Sequence, residues 1–169
     1  MALMSDLESL AVVLGERLSA RGEFVATAES CTGGWVAQVL TSIPGSSGWF
    51  DRGAVTYSNA AKVEMLGVAE GILDRHGAVS EPTARAMAQG MQARSRAQWA
   101  VAITGIAGPA GGSPDKPVGT VCFAWAGSEG GCEAQTCRFA GDRAEIRERS
   151  VRHALQGLIE RIDASGRFA

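Results

Sequence analysis

The chain has 169 residues, of which 46% are hydrophobic, and it carries a formal net charge of −2. This length and composition predict one domain, spanning residues 1–169, with a sizeable hydrophobic core. The slightly acidic balance argues against a nucleic-acid partner, which would require a basic surface. No stretch is long and apolar enough to cross a membrane, and residues 1–6 lack the basic and apolar regions of a signal peptide.

The cysteines and histidines argue against a metal site. The four cysteines include no Cys-x-x-Cys pair and there are only two histidines, so the ligand spacing of a zinc centre is missing. Reduced thiols are typical of the cytoplasm. The sequence therefore predicts a cytoplasmic protein with no metal, no cofactor and no membrane partner.

The first half of the chain alternates between helical and strand patterns. Ser5 and Glu8 have capping-box spacing ahead of a leucine stripe. The apolar, β-branched run at 24–27 predicts a buried strand, and Ser58 and Ser80 stand where helix N-caps are expected. The predicted elements are helix 5–20, strand 24–27, helix 35–42, a strand within 49–57 that is strongest over 53–57, helix 59–66, short helix 70–76 and a helix that begins after Ser80.

The second half adds three strands and a long helix. The apolar strand 99–104 runs into a glycine-rich loop at 105–113, and strands 118–125 and 132–139 form a predicted hairpin. Asp142 and Glu145 have capping-box spacing at the start of the last helix. Strands that alternate with helices, together with one hairpin, predict an α/β fold: a three-layer α/β/α domain with a mixed, mostly parallel sheet.

The heptapeptide at 28–34 lies between the first predicted strand and the next helix. Such a turn presents small hydroxyls and backbone N–H groups at the positive end of a helix dipole. Ser30 and Cys31 are two potential nucleophiles in it, and Gly33 and Gly34 allow a ligand to approach the backbone. The same residues also fit an ordinary serine or threonine cap followed by glycines, so the turn alone leaves both interpretations open.

Three further stretches, at 57–62, 104–113 and 141–143, place polar or glycine residues just past a strand or at a helix start. In open α/β sheets the ligand lies in a crevice at the strand ends, where such loops converge. With their neighbours these stretches form six motifs in order along the chain. The motifs are Ala-Glu-Ser-Cys-Thr-Gly-Gly, Val-Thr-Tyr-Ser-Asn-x-x-Lys, Gly-Ala-Val-Ser-Glu-Pro, Thr-Gly-Ile-Ala-Gly-Pro-x-Gly-Gly, Lys-Pro-Val-Gly-Thr-Val and Phe-x-Gly-Asp-Arg.

The six motifs resemble the CinA C-terminal domain family, and the resemblance extends over nearly the whole chain. It implies hydrolysis of nicotinamide mononucleotide to nicotinate mononucleotide and ammonia, the reaction of nicotinamide-nucleotide amidases, in pyridine-nucleotide salvage. The family's name also suggests a link to competence or DNA damage, through nucleic-acid binding. The acidic charge balance argues against that last interpretation.

Amide hydrolysis needs a nucleophile, a proton carrier and donors for the developing oxyanion. We expect Ser30 to attack and Lys62 to act as its base, provided that burial or neighbours lower the Lys62 pKa, as in Ser–Lys hydrolases. Tyr57 lies on the same strand-to-helix connection and is expected to relay the proton or to orient Lys62. His76 and His153 lie outside the glycine-rich and turn motifs and are expected at the surface or in packing.

The binding residues are predicted on the same loops. Backbone N–H groups at a helix start suit an oxyanion, the glycine-rich loop suits ribose or phosphate, and Arg143 suits a fork-shaped phosphate contact. Arg147 fits the same role one turn later, and Thr104 is expected to bond the substrate or Ser30. The predicted oxyanion residues are Cys31, Thr32, Gly33 and Gly34; the predicted substrate-binding residues are Thr104, Gly105, Gly108, Gly111, Gly112 and Arg143; no residue is assigned to a metal.

Several alternatives stay open at the level of sequence. Ser30 fits a cap, Lys62 a solvated helix lysine and Cys31 a small buried residue, while Glu29 is expected to fix the loop as a hydrogen-bond acceptor. A non-catalytic module that cradles a phosphorylated metabolite or nucleotide would use the same glycine-rich loops. A pocket completed by a neighbouring subunit would make the protein a homo-oligomer.

Overall fold

The computed structural model describes residues 4–166, so the prediction made for residues 1–6 falls partly outside the described residues. In that part of the chain five strands form one sheet with helices on both faces. The strands are β1 (Val25–Glu29), β2 (Phe50–Val55), β3 (Trp99–Gly105), β4 (Thr120–Ala126) and β5 (Cys132–Arg138). The helices are α1 (Asp6–Arg21), α2 (Trp35–Thr41), α3 (Asn59–Leu66), α4 (Glu70–His76), α5 (Glu81–Ala93) and α6 (Arg143–Ala164), with a short 3-10 helix at Ser46–Gly48.

The sheet has the strand order β2-β1-β3-β4-β5. β1 pairs in parallel with β2 and with β3, whereas β4 pairs antiparallel with β3 and with β5. Four strands therefore run in one direction and β4 runs against them, which confirms the predicted mixed sheet with one hairpin. Because β1, β2 and β3 are parallel, their carboxyl ends meet at one edge of the sheet, where a crevice forms.

The two faces of the sheet carry side chains of different size. Large side chains such as Val101 and Ile103 pack against α1, α2 and α6 on one face. Alanines cover the opposite face and let α5 lie close to the sheet. On α5, Gly90 lies against the carbonyl group of Leu66 at the end of α3, where the Cβ of any other residue would clash. This close packing fixes α3, the helix that carries Lys62. The alanines are Ala26, Ala28, Ala100, Ala102, Ala124 and Ala126.

The predicted caps are confirmed. Ser5 and Asp142 form full capping boxes at the starts of α1 and α6, and the Ser58 and Ser80 side chains accept from backbone N–H groups of α3 and α5. No helix within residues 4–166 has both the length and the apolar character needed to span a bilayer.

Strand ends differ from the predictions by a few residues. β1 extends to Glu29 because its pairing with β3 continues to the Glu29–Ile103 pair. β2 ends at Val55, before the predicted Tyr57, because the chain then turns into the Ser58 cap. β4 begins at Thr120, since Gly119 has a φ of 95° that breaks the predicted strand.

Candidate active site

The turn after β1 begins at Ser30. Its N–H group still bonds to the carbonyl oxygen of Ile103 on β3, at 2.9 Å, and its carbonyl oxygen accepts from Gly33 N–H at 3.0 Å. Gly33 and Gly34 follow with φ of 61° and 97°, a region that favours glycine. The turn therefore leaves the strand sharply.

Glu29 fixes this turn from within. Its carboxylate, only 1% exposed, accepts from the Thr32 hydroxyl at 2.7 Å and from the N–H groups of Val36 and Ala37 at 2.9 and 3.1 Å. The prediction that Glu29 accepts loop-fixing hydrogen bonds is confirmed. The N–H groups of Val36 and Ala37 at the start of α2 are thus already occupied by a carboxylate.

Lys62 lies beneath Ser30 rather than in solvent, so the solvated alternative is wrong. Its side chain is among the largest that are fully buried, with 1% exposed. Nζ contacts the Oγ of Ser30 at 3.1 Å and the carbonyl oxygens of Thr56 and Tyr57 at 2.7 and 3.4 Å. The Thr56 N–H group in turn bonds to the carbonyl oxygen of Glu29, at 2.8 Å. The ends of β1 and β2 therefore set the distance between the two side chains.

The surroundings of Lys62 favour its neutral form. Burial lowers the pKa of the ammonium group, and its three hydrogen-bond partners are uncharged. Backbone carbonyls can only accept hydrogen bonds. In its charged form the amine donates to all three partners; in its neutral form it donates to the two carbonyl oxygens and its lone pair accepts from the Ser30 hydroxyl.

Cys31 behaves as a small apolar residue. It is buried within the hydrophobic core that includes Val36 and Ile146, and burial raises the pKa of its thiol to about 12. A thiol with that pKa is almost entirely protonated at neutral pH and is a poor nucleophile. Of the two adjacent candidates in the turn, Ser30 is the one whose side chain hydrogen-bonds to Lys62 Nζ.

A cleft of about 260 Å³ opens over Ser30 and Lys62. Among the described residues that line it, none is acidic, whereas Lys62 and Arg143 are basic. A cleft with this charge suits an anionic ligand. Its walls come from the ends of β1, β2 and β3, the loop after α4 and the start of α6: Ser30, Cys31, Tyr57, Lys62, Ala78, Val79, Thr104, Gly105, Ile106, Ala107, Gly108, Ala110, Gly111 and Arg143.

Arg143 and Tyr57 meet at the mouth of this cleft. Arg143 Nη1 donates to the carbonyl oxygen of Gly108 at 2.8 Å, and Nη2 donates to the Tyr57 hydroxyl at 3.3 Å. The Tyr57 side chain is 63% exposed. Its expected contact with Lys62 is made by the backbone carbonyl only, because the phenol points to Arg143 instead.

Several predicted binding residues have other partners. The Thr104 hydroxyl donates to the carbonyl oxygen of Ala78 at 2.8 Å, so the expected bond to Ser30 is absent. Gly105, Gly108 and Gly111 line the cleft as predicted. Gly112 does not line it; a Cβ there would lie 2.8 Å from the backbone nitrogen of Val118, so this glycine permits close packing of the loop on itself.

The predicted oxyanion residues are divided between two sides of the turn. Only Cys31 lines the cleft, whereas Thr32, Gly33 and Gly34 line a neighbouring hollow with Arg147. Arg147 does not reach the cleft. It donates instead to the carbonyl oxygens of Cys31 and Thr32, at 3.1 and 3.2 Å.

Parts of the site are made by backbone groups or by small apolar side chains, which the sequence did not mark as functional. The Thr56 carbonyl group holds Lys62, and Ala78 and Val79 form one wall of the cleft. The Gly-Ala-Val-Ser-Glu-Pro motif contained that wall, but its residue types gave no chemical signal. His76 is exposed and His153 packs against Phe123, as expected. Within residues 4–166 no group of three or more His, Cys, Asp or Glu side chains could hold a metal ion.

Comparison with known proteins gives consistent matches over most of the chain. A family model described as the CinA C-terminal domain matches residues 7–162. The nicotinamide-nucleotide amidohydrolase PncC of Escherichia coli K12 is 56% identical over 155 residues, which are 91% of this chain and 93% of that protein. The protein of the same name from Pseudomonas putida is 49% identical, over 93% of this chain and 98% of that protein. A solved structure, the competence/damage inducible protein CihA from Agrobacterium tumefaciens, has a TM-score of 0.92 and 48% identity, and the alignment covers 96% of this chain and 99% of that one.

Proposed function

Because the chain belongs to the CinA C-terminal domain family, we propose that it hydrolyses the carboxamide of nicotinamide mononucleotide, releasing nicotinate mononucleotide and ammonia. Relatives named nicotinamide-nucleotide amidohydrolase match nearly its whole length. The observation in this chain that carries the proposal is the buried contact between Lys62 Nζ and Ser30 Oγ, at 3.1 Å. The product keeps its ribose phosphate and is therefore itself a pyridine nucleotide. The reaction accordingly belongs to pyridine-nucleotide salvage.

The first half of the reaction forms an ester with Ser30. Ser30 Oγ attacks the carboxamide carbon while the Lys62 amine takes the hydroxyl proton, and the carbonyl electron pair moves to oxygen. When the tetrahedral oxyanion collapses, the C–N bond breaks and the Lys62 ammonium group returns the proton to the departing nitrogen. Ammonia leaves, and the acyl group stays on Ser30.

The second half uses the same base. Lys62 takes a proton from a water molecule that attacks the ester carbon, and collapse of the second oxyanion breaks the bond to Ser30 Oγ, which recovers a proton from Lys62. The nicotinate carboxylate and one proton are released. One buried amine therefore serves both halves, and neither half requires it to hold a charge at rest.

The phosphate of the substrate is bound by Arg143 and by the loop after β3. Arg143 uses two N–H groups for Gly108 and Tyr57, so the guanidinium group, which has five, keeps donors for a phosphate. Among the described residues no backbone acceptor pairs with the N–H groups of Ala107 and Gly111. Free amides in a glycine-rich loop form an anion-binding nest.

A module that only binds a phosphorylated metabolite explains less of the structure. The glycine-rich loop and Arg143 would suffice for such a module. Burying the amine of Lys62 against a serine hydroxyl would add nothing to phosphate binding, and a buried lysine without a carboxylate partner is costly. This arrangement favours catalysis over binding alone.

Ammonia release from nicotinamide mononucleotide by the purified protein tests the proposal. With and without a chelator, we expect turnover by the wild-type chain and a kcat lower by about 10⁴-fold for Ser30→Ala, because Ser30 and Lys62 supply both the nucleophile and the base. Binding of the mononucleotide without any ammonia release would favour the binding module. Activity that a chelator abolishes and a divalent ion restores would contradict the metal-free mechanism.

A further inference from the structure

Residues 76–79, which we call the wall segment, lie at the end of α4 and line the cleft through Ala78 and Val79, both half-buried. Side chains of other elements hold this segment by its carbonyl groups. Two hydroxyls at the start of α5 donate to the carbonyl oxygen of Gly77, at 3.0 and 2.7 Å. The Thr104 hydroxyl donates to that of Ala78, at 2.8 Å. The wall segment is therefore fixed from α5 and from β3.

Lys116, the first residue of the Lys-Pro-Val-Gly-Thr-Val motif, joins the wall segment to the glycine-rich loop after β3. Its Nζ donates to the carbonyl oxygen of His76 at 2.8 Å, at the end of α4, where the helix dipole favours a cation. Lys116 is itself held in the loop, because its N–H group donates to the Ser113 hydroxyl at 3.1 Å and its carbonyl oxygen accepts from the Ser113 N–H group at 2.9 Å. Lys116 is not among the residues that line the cleft, so its contact acts on the position of the wall.

Two hydrogen bonds connect Ser30 with the wall segment through β3. The Ser30 N–H group donates to the carbonyl oxygen of Ile103 at 2.9 Å, and the next residue, Thr104, donates to that of Ala78 at 2.8 Å. The wall therefore lies beside Ser30, whereas Arg143 lies at the mouth of the cleft. A ligand that extends from Ser30 to Arg143 has the end nearest Ser30 against the wall.

The side chains of the wall suit an aromatic ring. Ala78 and Val79 carry no donor or acceptor on their side chains, so these side chains pack against carbon atoms and cannot bind ribose hydroxyls or a phosphate. In nicotinamide mononucleotide the carboxamide, which meets Ser30 in the proposed reaction, is attached directly to the pyridinium ring. The ribose and the phosphate lie further from the reacting carbon. The part of the substrate that meets the wall is therefore the ring.

We propose that the wall segment receives the aromatic ring of the substrate and that Lys116 is a positioning residue, which holds this wall beside Ser30. The inference rests on the proposed amide hydrolysis, because that reaction places the ring next to Ser30. A wall that is fixed before the substrate arrives need not be ordered on binding, and this favours affinity. Its effect falls on KM, since the groups at the reacting carbon, Ser30 and Lys62, are not touched.

The test compares variants of the wall and of its support with a control on the same loop. Lys116→Met removes the hydrogen bond to the wall segment, Lys116→Arg keeps a charged donor, and Val79→Ala shortens the wall itself. Arg138→Met is the matched control, because Arg138 is exposed and donates to the same loop at a different point, the carbonyl oxygen of Asp115. Ammonia release gives kcat and KM, and thermal unfolding shows whether each variant folds.

We expect Lys116→Met and Val79→Ala each to raise KM by about 3- to 10-fold and to change kcat less than threefold. The rise should be the same for nicotinamide mononucleotide and for nicotinamide riboside, because the two share the ring. Lys116→Arg should recover most of the loss, and Arg138→Met should resemble the wild type.

Ribose 5-phosphate gives a second measurement, since it has the phosphate of the substrate but no ring. Its inhibition constant should stay within twofold of the wild type in Lys116→Met and in Val79→Ala, whereas a general distortion of the cleft would weaken this inhibitor as well. If Lys116→Met does not fold, Thr104→Val, which keeps the side-chain shape and removes the hydrogen bond to Ala78, takes its place in the same comparison.

Three results would overturn the proposal: a KM within twofold of the wild type in Lys116→Met or in Val79→Ala, a KM that rises for the mononucleotide alone, or an equal loss of affinity for ribose 5-phosphate. The last two results would place the wall at the phosphate. If the wild-type chain itself releases no ammonia, the proposed function fails, and that failure is recognised before any variant is measured.

Discussion

Lys62 Nζ lies 3.1 Å from Ser30 Oγ, although 32 positions separate the two residues in the chain. The same nitrogen lies 2.7 Å from the carbonyl oxygen of Thr56, and the N–H group of Thr56 bonds to Glu29, the residue before Ser30. The proposed nucleophile and its proposed base are therefore held together by the backbone just past the ends of two paired strands. Because backbone groups hold both side chains, the distance between Lys62 Nζ and Ser30 Oγ does not depend on a third side chain.

We expect Ser30→Ala and Lys62→Met each to lower kcat by about 10⁴-fold, because each removes one half of a single catalytic unit. The double variant should lose little more than either single variant. Cys31→Ala is the matched control and should keep most activity, since Cys31 is packed in the core. Additive losses in ammonia release would show that the two side chains act separately.

The activity should rise with pH. Lys62 is a base only when neutral, and burial lowers its pKa from the ordinary value of 10.5. The neutral fraction therefore grows as the pH passes through this lowered pKa, and kcat/KM, measured from about pH 6 to pH 10, should rise and then level off below 10.5. Lys62→Arg, which stays protonated throughout, should be inactive at every pH. A flat profile would exclude Lys62 as the base.

Iodoacetamide should not inactivate the folded protein through Cys31. Burial raises the pKa of this thiol to about 12, so the reactive thiolate is scarce at neutral pH. Mass spectrometry of the alkylated chain locates any modified cysteine, and Cys132, which is only partly buried, serves as the internal comparison. Inactivation that Cys31→Ala prevents, together with an active Ser30→Ala variant, would reverse the assignment of the nucleophile.

Arg143→Ala should raise KM for nicotinamide mononucleotide by about 10- to 100-fold, because a charge-assisted contact contributes about 1.5–3 kcal/mol. KM for nicotinamide riboside, which lacks the phosphate, should change much less, and both the riboside and free nicotinamide should be poorer substrates of the wild type. Arg149→Ala, on the exposed side of α6, is the control. Equal effects on the two substrates would show that Arg143 does not bind the phosphate.

Glu29→Ala should reduce the free energy of unfolding by about 2–4 kcal/mol, because it leaves two buried donors and one half-buried donor without their acceptor. These donors are the Thr32 hydroxyl and the N–H groups of Val36 and Ala37. Urea unfolding measures the loss, and Glu64→Ala, at an exposed position of α3, should be nearly neutral. A similar small effect for both variants would mean that water replaces the carboxylate.

Much of the fold could be predicted from interactions between residues that are close together in the sequence. Capping boxes at Ser5 and Asp142 placed the starts of α1 and α6, and the apolar runs placed the strands to within a few residues. These signals are readable because a cap or a strand depends on residues close together in the chain. The places of the loops at strand ends also predicted that they would converge, and the needs of amide hydrolysis pointed to Ser30 and Lys62.

Only the tertiary structure decided how those residues are used. The sequence left open whether Lys62 is solvated; in the fold its side chain is buried, and its Nζ contacts Ser30 Oγ and the carbonyl oxygen of Thr56. The sequence also placed all of residues 31–34 at the oxyanion, whereas only Cys31 of these lines the cleft and Thr32, Gly33 and Gly34 line the hollow beside Arg147. Partners such as the Thr56 carbonyl oxygen carry no residue-type signal, because every residue has the same backbone group. Their roles depend on the pairing of β1 with β2, which brings together segments distant in the chain.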